Sequence, residues 1–205
     1  MEAGISAAIL VCCGLVGQTA QDVGPDPLLT GKPFRVTLDR PFAATWENVS
    51  LRTISRRIVA TQHTAILLDR RLDPTCEHSI AATGEPLRAF LERLAAQAGG
   101  KETVVGNTVF LGPPVATQKL RTLVWLRQQE LSAEGSGVPK VRRFALTQTA
   151  PCVWDDLTRP VDLVRRLAAE YQLEVERLER VPHDLWAGAV IPDATVIEAL
   201  SLILV

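Results

Sequence analysis

Aromatic residues are scarce in this chain: five Phe, four Trp and one Tyr among 205 residues. A packed core must therefore be built mainly from Leu, Val, Ile and Ala. With 47% of residues apolar there is enough of them for one or two domains. A charge surplus is also missing. The formal net charge of −1 gives no reason to expect nucleic acid or an anionic membrane surface as partner. No P-loop and no dinucleotide fingerprint occurs, so no cofactor is expected. The one G-x-x-G, Gly14 to Gly17, falls in an apolar run and not in the backbone-clamping loop of an RNA-binding KH domain. Gly135-Ser136-Gly137 lies in a loop without the strand and helix that frame a nucleophilic serine. His63, His78 and His183 have no zinc-like spacing with the cysteines, so no metal site is expected. Cys76 and His78 would share a strand face, but nothing marks the thiol as activated, and the pair reads as two ordinary strand residues. Asp69, Asp73, Asp155 and Asp156 fall in turns or near helix starts, where Asp stabilises local structure. No catalytic residue is assigned.

Lys and Arg are also missing ahead of the apolar run Ile5 to Val16. The run is too short to span a bilayer but suits the apolar part of a secretory signal. Gln18-Thr19-Ala20 supplies a small residue for cleavage. Residues 1–20 are therefore expected to be a signal peptide, cut near Gln21, with membrane contact through this segment alone if it stays. Lipidation at Cys12 or Cys13 is disfavoured, because Val11 or Cys12 would precede the modified residue. Cleavage leaves Cys76 and Cys152, far apart in sequence; two unpaired thiols are expected rather than a disulfide.

Residues 21–33 read as an extended linker rich in Pro, Gly and Asp. Phe34, Val36 and Leu38 alternate with polar neighbours, predicting a strand that Pro41 ends. Ser50 is a helix cap, followed by the stripe Leu51, Ile54 and Ile58, with Arg52, Arg56 and Arg57 on a solvated face. Trp46, just ahead, is expected to pack under this helix. Thr64 to Leu68, with Ile66 and Leu68 assigned to the core, reads as a buried strand. Asp69 to Pro74 is a turn, and Glu77 to Ala82 a second strand with His78 and Ile80 on one face. Pro86 opens the next helix, whose stripe is Leu87, Phe90, Leu91, Leu94 and Ala98. Gly99-Gly100 stops it. Val104 to Leu111 forms a hairpin turning at Gly106-Asn107. A helix is predicted from about Val115 to Leu131, buried through Ala116, Leu120, Leu123, Val124 and Leu131. Gly135 to Pro139 ends this connector.

The pattern then repeats. A shift of 109 aligns Ile54 with Leu163, Ile58 with Leu167, Leu87 with Val196 and Leu91 with Leu200, and Trp154 follows Trp46 at nearly the same distance. Leu173 to Val175 and Leu185 to Ile191 would supply the strands. The expected fold class is α+β: two tandem βαββα-type modules, 34–113 and 144–205, joined by a helical connector over 114–143. Core positions of the second module are Trp154, Leu163 and Leu167. By the same alignment the second module lacks the closing hairpin. Its last residues, Ala199 to Val205, are almost wholly apolar, so additional chain or a partner is expected to cover them.

Residues 34–113 resemble the STN module, the short N-terminal domain of secretins and of some TonB-dependent receptors. The resemblance rests on Val49-Ser50-Leu51 with Ile54 and Ile58, on Ala65 to Leu68 followed by Asp69 and Glu77 to Ala82, and on Pro86 to Leu91 with Leu94 and the hairpin. It implies two helices packed on small sheets, and a non-enzymatic role in the Gram-negative envelope, where such modules contact other envelope proteins. No barrel strands and no secretin pore accompany it in these 205 residues. A signalling module in the envelope is the alternative, and a small enzyme with a dispersed site a more distant one.

Overall fold

The computed structural model describes residues 27–133 and 137–205. The expected signal peptide, the first part of the linker and the Gly135-Ser136 pair lie outside the described residues. Among these residues the fold is α+β, with seven α-helices and seven strands in three small sheets.

The chain enters through helix α1 (Gly31–Asp39), where the alternation had suggested a strand. Phe34, Thr37 and Leu38 share one helical face and are buried, whereas Val36, which a strand would have turned inward, is 40% exposed. Apolar residues at 34, 36 and 38 fit either period, and five positions are too few to separate them. Pro41 does not end a strand. It begins β1 (Pro41–Ser50), the position in a strand where a missing N–H is tolerated. β1 pairs antiparallel with β3 (Glu77–Pro86), which runs four residues past the expected end. A register shift between Trp46 and Val49, with Asn48 at φ 51°, breaks the period of β1 and hides it in the sequence.

Helix α2 (Leu51–Gln62) starts where Ser50 Oγ accepts the N–H of Thr53 at 3.3 Å, and Leu51, Ile54 and Ile58 are fully buried. Strand β2 (Ala65–Leu68) follows. Helix α3 (Leu87–Gln97) buries Leu87, Phe90, Leu91 and Leu94. Gly99, at φ 74°, ends it in the left-handed conformation that costs glycine nothing. Trp46 meets the ring of Phe90 on α3 at 5.3 Å, and Phe42 joins both rings. Trp46 shares this core with the α2 stripe Leu51, Ile54 and Ile58, and its ring partners are Phe42 and Phe90.

Strands β4 (Lys101–Val105) and β5 (Thr108–Gly112) form the expected hairpin. Gly106 takes φ 56° at the first turn position, as a two-residue hairpin of this hand requires. β2 pairs parallel with β5, giving the order β2-β5-β4. All five residues of β5 are buried, because both faces of this sheet are covered. Val109 and Leu111 join the first core, with Phe34, Leu51 and Phe90. Phe110, Leu67 and Val105 join a second core. In β2 it is Ala65 and Leu67 that are buried, while Ile66 and Leu68 are half-buried against the first core.

The second core belongs to the rest of the chain. Helix α4 (Pro114–Ser132) buries Ala116, Leu120 and Val124, so the connector is part of a core and not a tether. Then come α5 (Lys140–Thr147), β6 (Ala150–Trp154), α6 (Pro160–Glu170), a 3-10 turn (Leu178–Arg180), β7 (Ala189–Ala194) and α7 (Val196–Leu204). The starts of α5, β6, α6 and α7 each lie 109 residues after those of α1, β1, α2 and α3. Trp154, Leu163 and Leu167 are buried in the second core. β6 pairs antiparallel with β7, which lies further along than the expected 185–191 segment; Leu185 is exposed. Leu173 to Val175 form no strand, and Val175 is exposed.

The apolar face of α7 is covered from within the chain. Ala199, Leu202 and Ile203 pack in the same core as Leu67 of β2, Phe110 of β5 and Leu120 of α4. Leu200 is partly buried against this core and Leu204 is 51% exposed. The second-core face of the first half's sheet packs against α7. Polar contacts follow the same seam: Arg70 pairs with Asp184 at 3.0 Å, and Arg71 Nη2 donates to the Val205 carbonyl at 3.1 Å.

Candidate functional site

Among the described residues the three-stranded sheet has two edges without a further strand partner, β2 at one end and β4 at the other. In the order β2-β5-β4, β4 pairs with β5 alone. Val105↔Thr108 closes the two-residue turn, so it exchanges both main-chain bonds, as do Thr103↔Phe110 and Lys101↔Gly112. The N–H and C=O groups of Glu102 and Val104 therefore point away from β5. The phase is confirmed on the far side of β5, where the Leu111 carbonyl accepts from Asp69 N–H at 2.8 Å.

A groove of about 500 Å³ opens along this edge. One wall is α1, through Phe34, Arg35, Leu38 and Asp39; the other is α4, through Arg121, Val124, Trp125 and Gln128. Val104, Val105 and Gly106 form the floor. Arg121, Trp125 and Gln128 follow at helical spacings of four and three, so one face of α4 presents them together. Trp125 is 56% exposed, uncommon for so large an apolar surface.

The acidic groups lining the groove are already engaged. Glu198 caps α7 reciprocally with Thr195, accepting its N–H at 2.8 Å. Asp39 lies 3.7 Å from Arg88, which also reaches Glu102 at 3.8 Å. Glu102, on β4, is largely buried, and burial holds its carboxyl above the ordinary range against the opposing pull of Arg88. Arg35 and Arg121 enter no ion pair among the described residues. Two guanidinium groups thus flank the strand edge, Arg35 on one wall and Arg121, which feels the Glu102 carboxylate, on the other.

Other residues singled out in the sequence do not assemble into a site. Cys76 is exposed, Cys152 is buried, and both are free thiols. Cys76 precedes β3, and His78 is buried within it. Asp73 accepts from Thr75 in a turn, and Asp156 accepts the N–H of Gly188 at 2.7 Å, a bond that lowers its pKa. Asp69 holds Arg71 through two side-chain bonds, which raise the arginine's pKa. No group of three His, Cys, Asp or Glu side chains among the described residues is placed to hold a metal ion. No helix among them is long and apolar enough to cross a membrane.

Arg35 lies in the stretch whose alternation predicts a strand, and Trp125 lies outside the apolar stripe of the connector, so the sequence ties neither to a site. The spacing Arg121, Trp125, Gln128 was the available signal. No protein-family model matches the chain, and no curated protein matches it.

Proposed function

We propose that this chain is a contact module of the cell envelope, binding another protein through the groove between α1 and α4. The observation that carries the reading is the edge of β4 beside an exposed tryptophan and two arginines that enter no ion pair among the described residues. Main-chain groups along an edge, a large flat apolar side chain and Arg are the features through which proteins recognise proteins. The resemblance of residues 34–113 to the STN module points the same way. The apolar stretch before the linker supports export, and N-terminal sequencing of the native protein is expected to begin near Gln21.

The experiment is site-specific photocrosslinking in intact cells. A photoreactive residue replacing Trp125 should capture one protein reproducibly; the same residue at Arg57, on the exposed side of α2, should not. Equal capture at both positions, or none at Trp125, would overturn the reading.

A further inference from the structure

We propose that the occupant of the groove is an extended, acidic segment of another protein that pairs with β4 as an additional strand. This rests on the contact-module reading and specifies the mode of contact. Glu102 and Val104 turn four main-chain groups outward, spaced as an added strand needs. The groove beside β4 has α1 on one side and α4 on the other, its apolar residues Phe34, Leu38 and Val124 buried and its charged and polar ones, with Trp125, left to line it. An incoming strand alternates its side chains between those walls. On one wall they meet Arg35, on the other Arg121 and the indole of Trp125. The segment therefore carries carboxylates on both faces and an apolar side chain among them.

Other occupants fit less well. A second copy pairing β4 with β4 brings Arg35 and Arg121 of both copies together, and like charges at close range oppose association. The chain entering α1 makes two bonds outside the β4 edge groups. Leu29 N–H donates to His63, beside β2 at the opposite edge, and Gly31 N–H to Asn107 at the turn.

The test uses the full chain, isotope-labelled, with three synthetic peptides observed by NMR. The first is Glu-Glu-Val-Val-Glu-Glu, the second has Lys for Glu, and the third is the first with both valine nitrogens methylated. The acidic peptide is expected to bind with Kd of about 0.1–1 mM. It should slow amide exchange of Glu102 and Val104 about tenfold near saturation, through the new main-chain bonds. The lysine and methylated peptides should bind at least about tenfold more weakly, for lack of charge complementarity and of N–H donors respectively. Arg35→Ala and Arg121→Ala should each weaken the acidic peptide about fivefold. Val104→Pro removes an outward donor without touching the β5 ladder and should abolish binding; the methylated peptide gives the same reading if that variant does not fold. The proposal is overturned if the acidic peptide does not saturate, if the lysine peptide binds as well, or if Glu102 and Val104 exchange at unchanged rates. It is also overturned if sedimentation shows a dimer that Val104→Pro dissociates, since the edge then belongs to a second copy. Capture at Trp125 without peptide protection at β4 would remove strand addition and leave the contact reading standing.

Discussion

Val109 and Phe110 are neighbours in β5, yet their side chains lie in different hydrophobic cores. Alternation along a strand does this wherever a sheet is covered on both faces. Here it ties two halves of a chain to one three-stranded sheet, which each half uses as a wall. The consequence is that neither core is complete without the hairpin.

Phe110→Ala tests that consequence. Removing a fully buried ring costs about 3–5 kcal/mol through lost transfer energy and a residual cavity. Because Phe110 sits in the sheet that both halves share, urea unfolding followed at two probes should remain a single transition displaced to lower urea. The probes are the tryptophan fluorescence of two versions of the variant, one keeping Trp46 alone and the other Trp154 alone, one in each core. Two separated transitions would show that the halves fold independently.

Phe90→Asp tests the first core alone. Phe90 is fully buried, with the rings of Phe42 and Trp46 at 5.2 and 5.3 Å. An unpaired carboxylate there costs roughly 5 kcal/mol or more, comparable to the whole stability of a domain this size. The variant should lack a cooperative melting transition by circular dichroism. A normal melt would mean that the aromatic cluster is assigned to the wrong face of α3.

These two positions also show how much the sequence disclosed. Phe90 was legible because α3 is long enough for a 3.6-residue period to stand out, with Leu87, Leu91 and Leu94 beside it. Its partner strand β1 was not, because Asn48 breaks the alternation midway and Pro41 looked like a terminator. Phe110 was legible as a hairpin residue but not as a member of a second core, since a continuous apolar run does not say what covers each face. The groove was the least legible feature. Arg35, Val104 and Trp125 lie on three separate elements, and only tertiary packing brings them to one edge. The cover of Leu202 and Ile203 was hidden for the same reason: it is long-range.

The helix starts give a calibrated comparison. Ser50 caps α2, and Thr195 caps α7 with a reciprocal bond from Glu198. Ser50→Ala should cost about 1 kcal/mol, and Thr195→Ala about 1–2 kcal/mol, because it removes the hydroxyl that accepts the Glu198 N–H and donates to the Glu198 carboxylate, while the Thr195 N–H keeps its bond. Arg57→Ala, at an exposed position of the same α2 helix, should stay within about 0.5 kcal/mol of the parent. Chemical denaturation of the three variants ranks them. A loss at Arg57 equal to that at Ser50 would show that the face taken as solvated is a packed one.

Glu102→Gln tests the electrostatics of β4. Burial raises the Glu102 carboxyl pKa, while Arg88 at 3.8 Å and Arg121 oppose the shift without cancelling it. A carboxyl whose pKa is raised by folding favours the folded state when protonated. That contribution is fully present below the unfolded value of about 4.3 and is lost as pH rises through the higher folded value. At neutral pH the ionised group therefore weighs against folding, and a neutral amide of the same shape relieves it. Glu102→Gln should melt at a higher temperature than the parent at pH 7. The gap should shrink as pH falls and close below about pH 4, where both side chains are neutral. A gap that stays constant with pH would assign the effect to packing. A lower melting temperature at pH 7 would mean that the attraction of Arg88 outweighs burial, and that this arginine is held by β4 more firmly than its distance suggests.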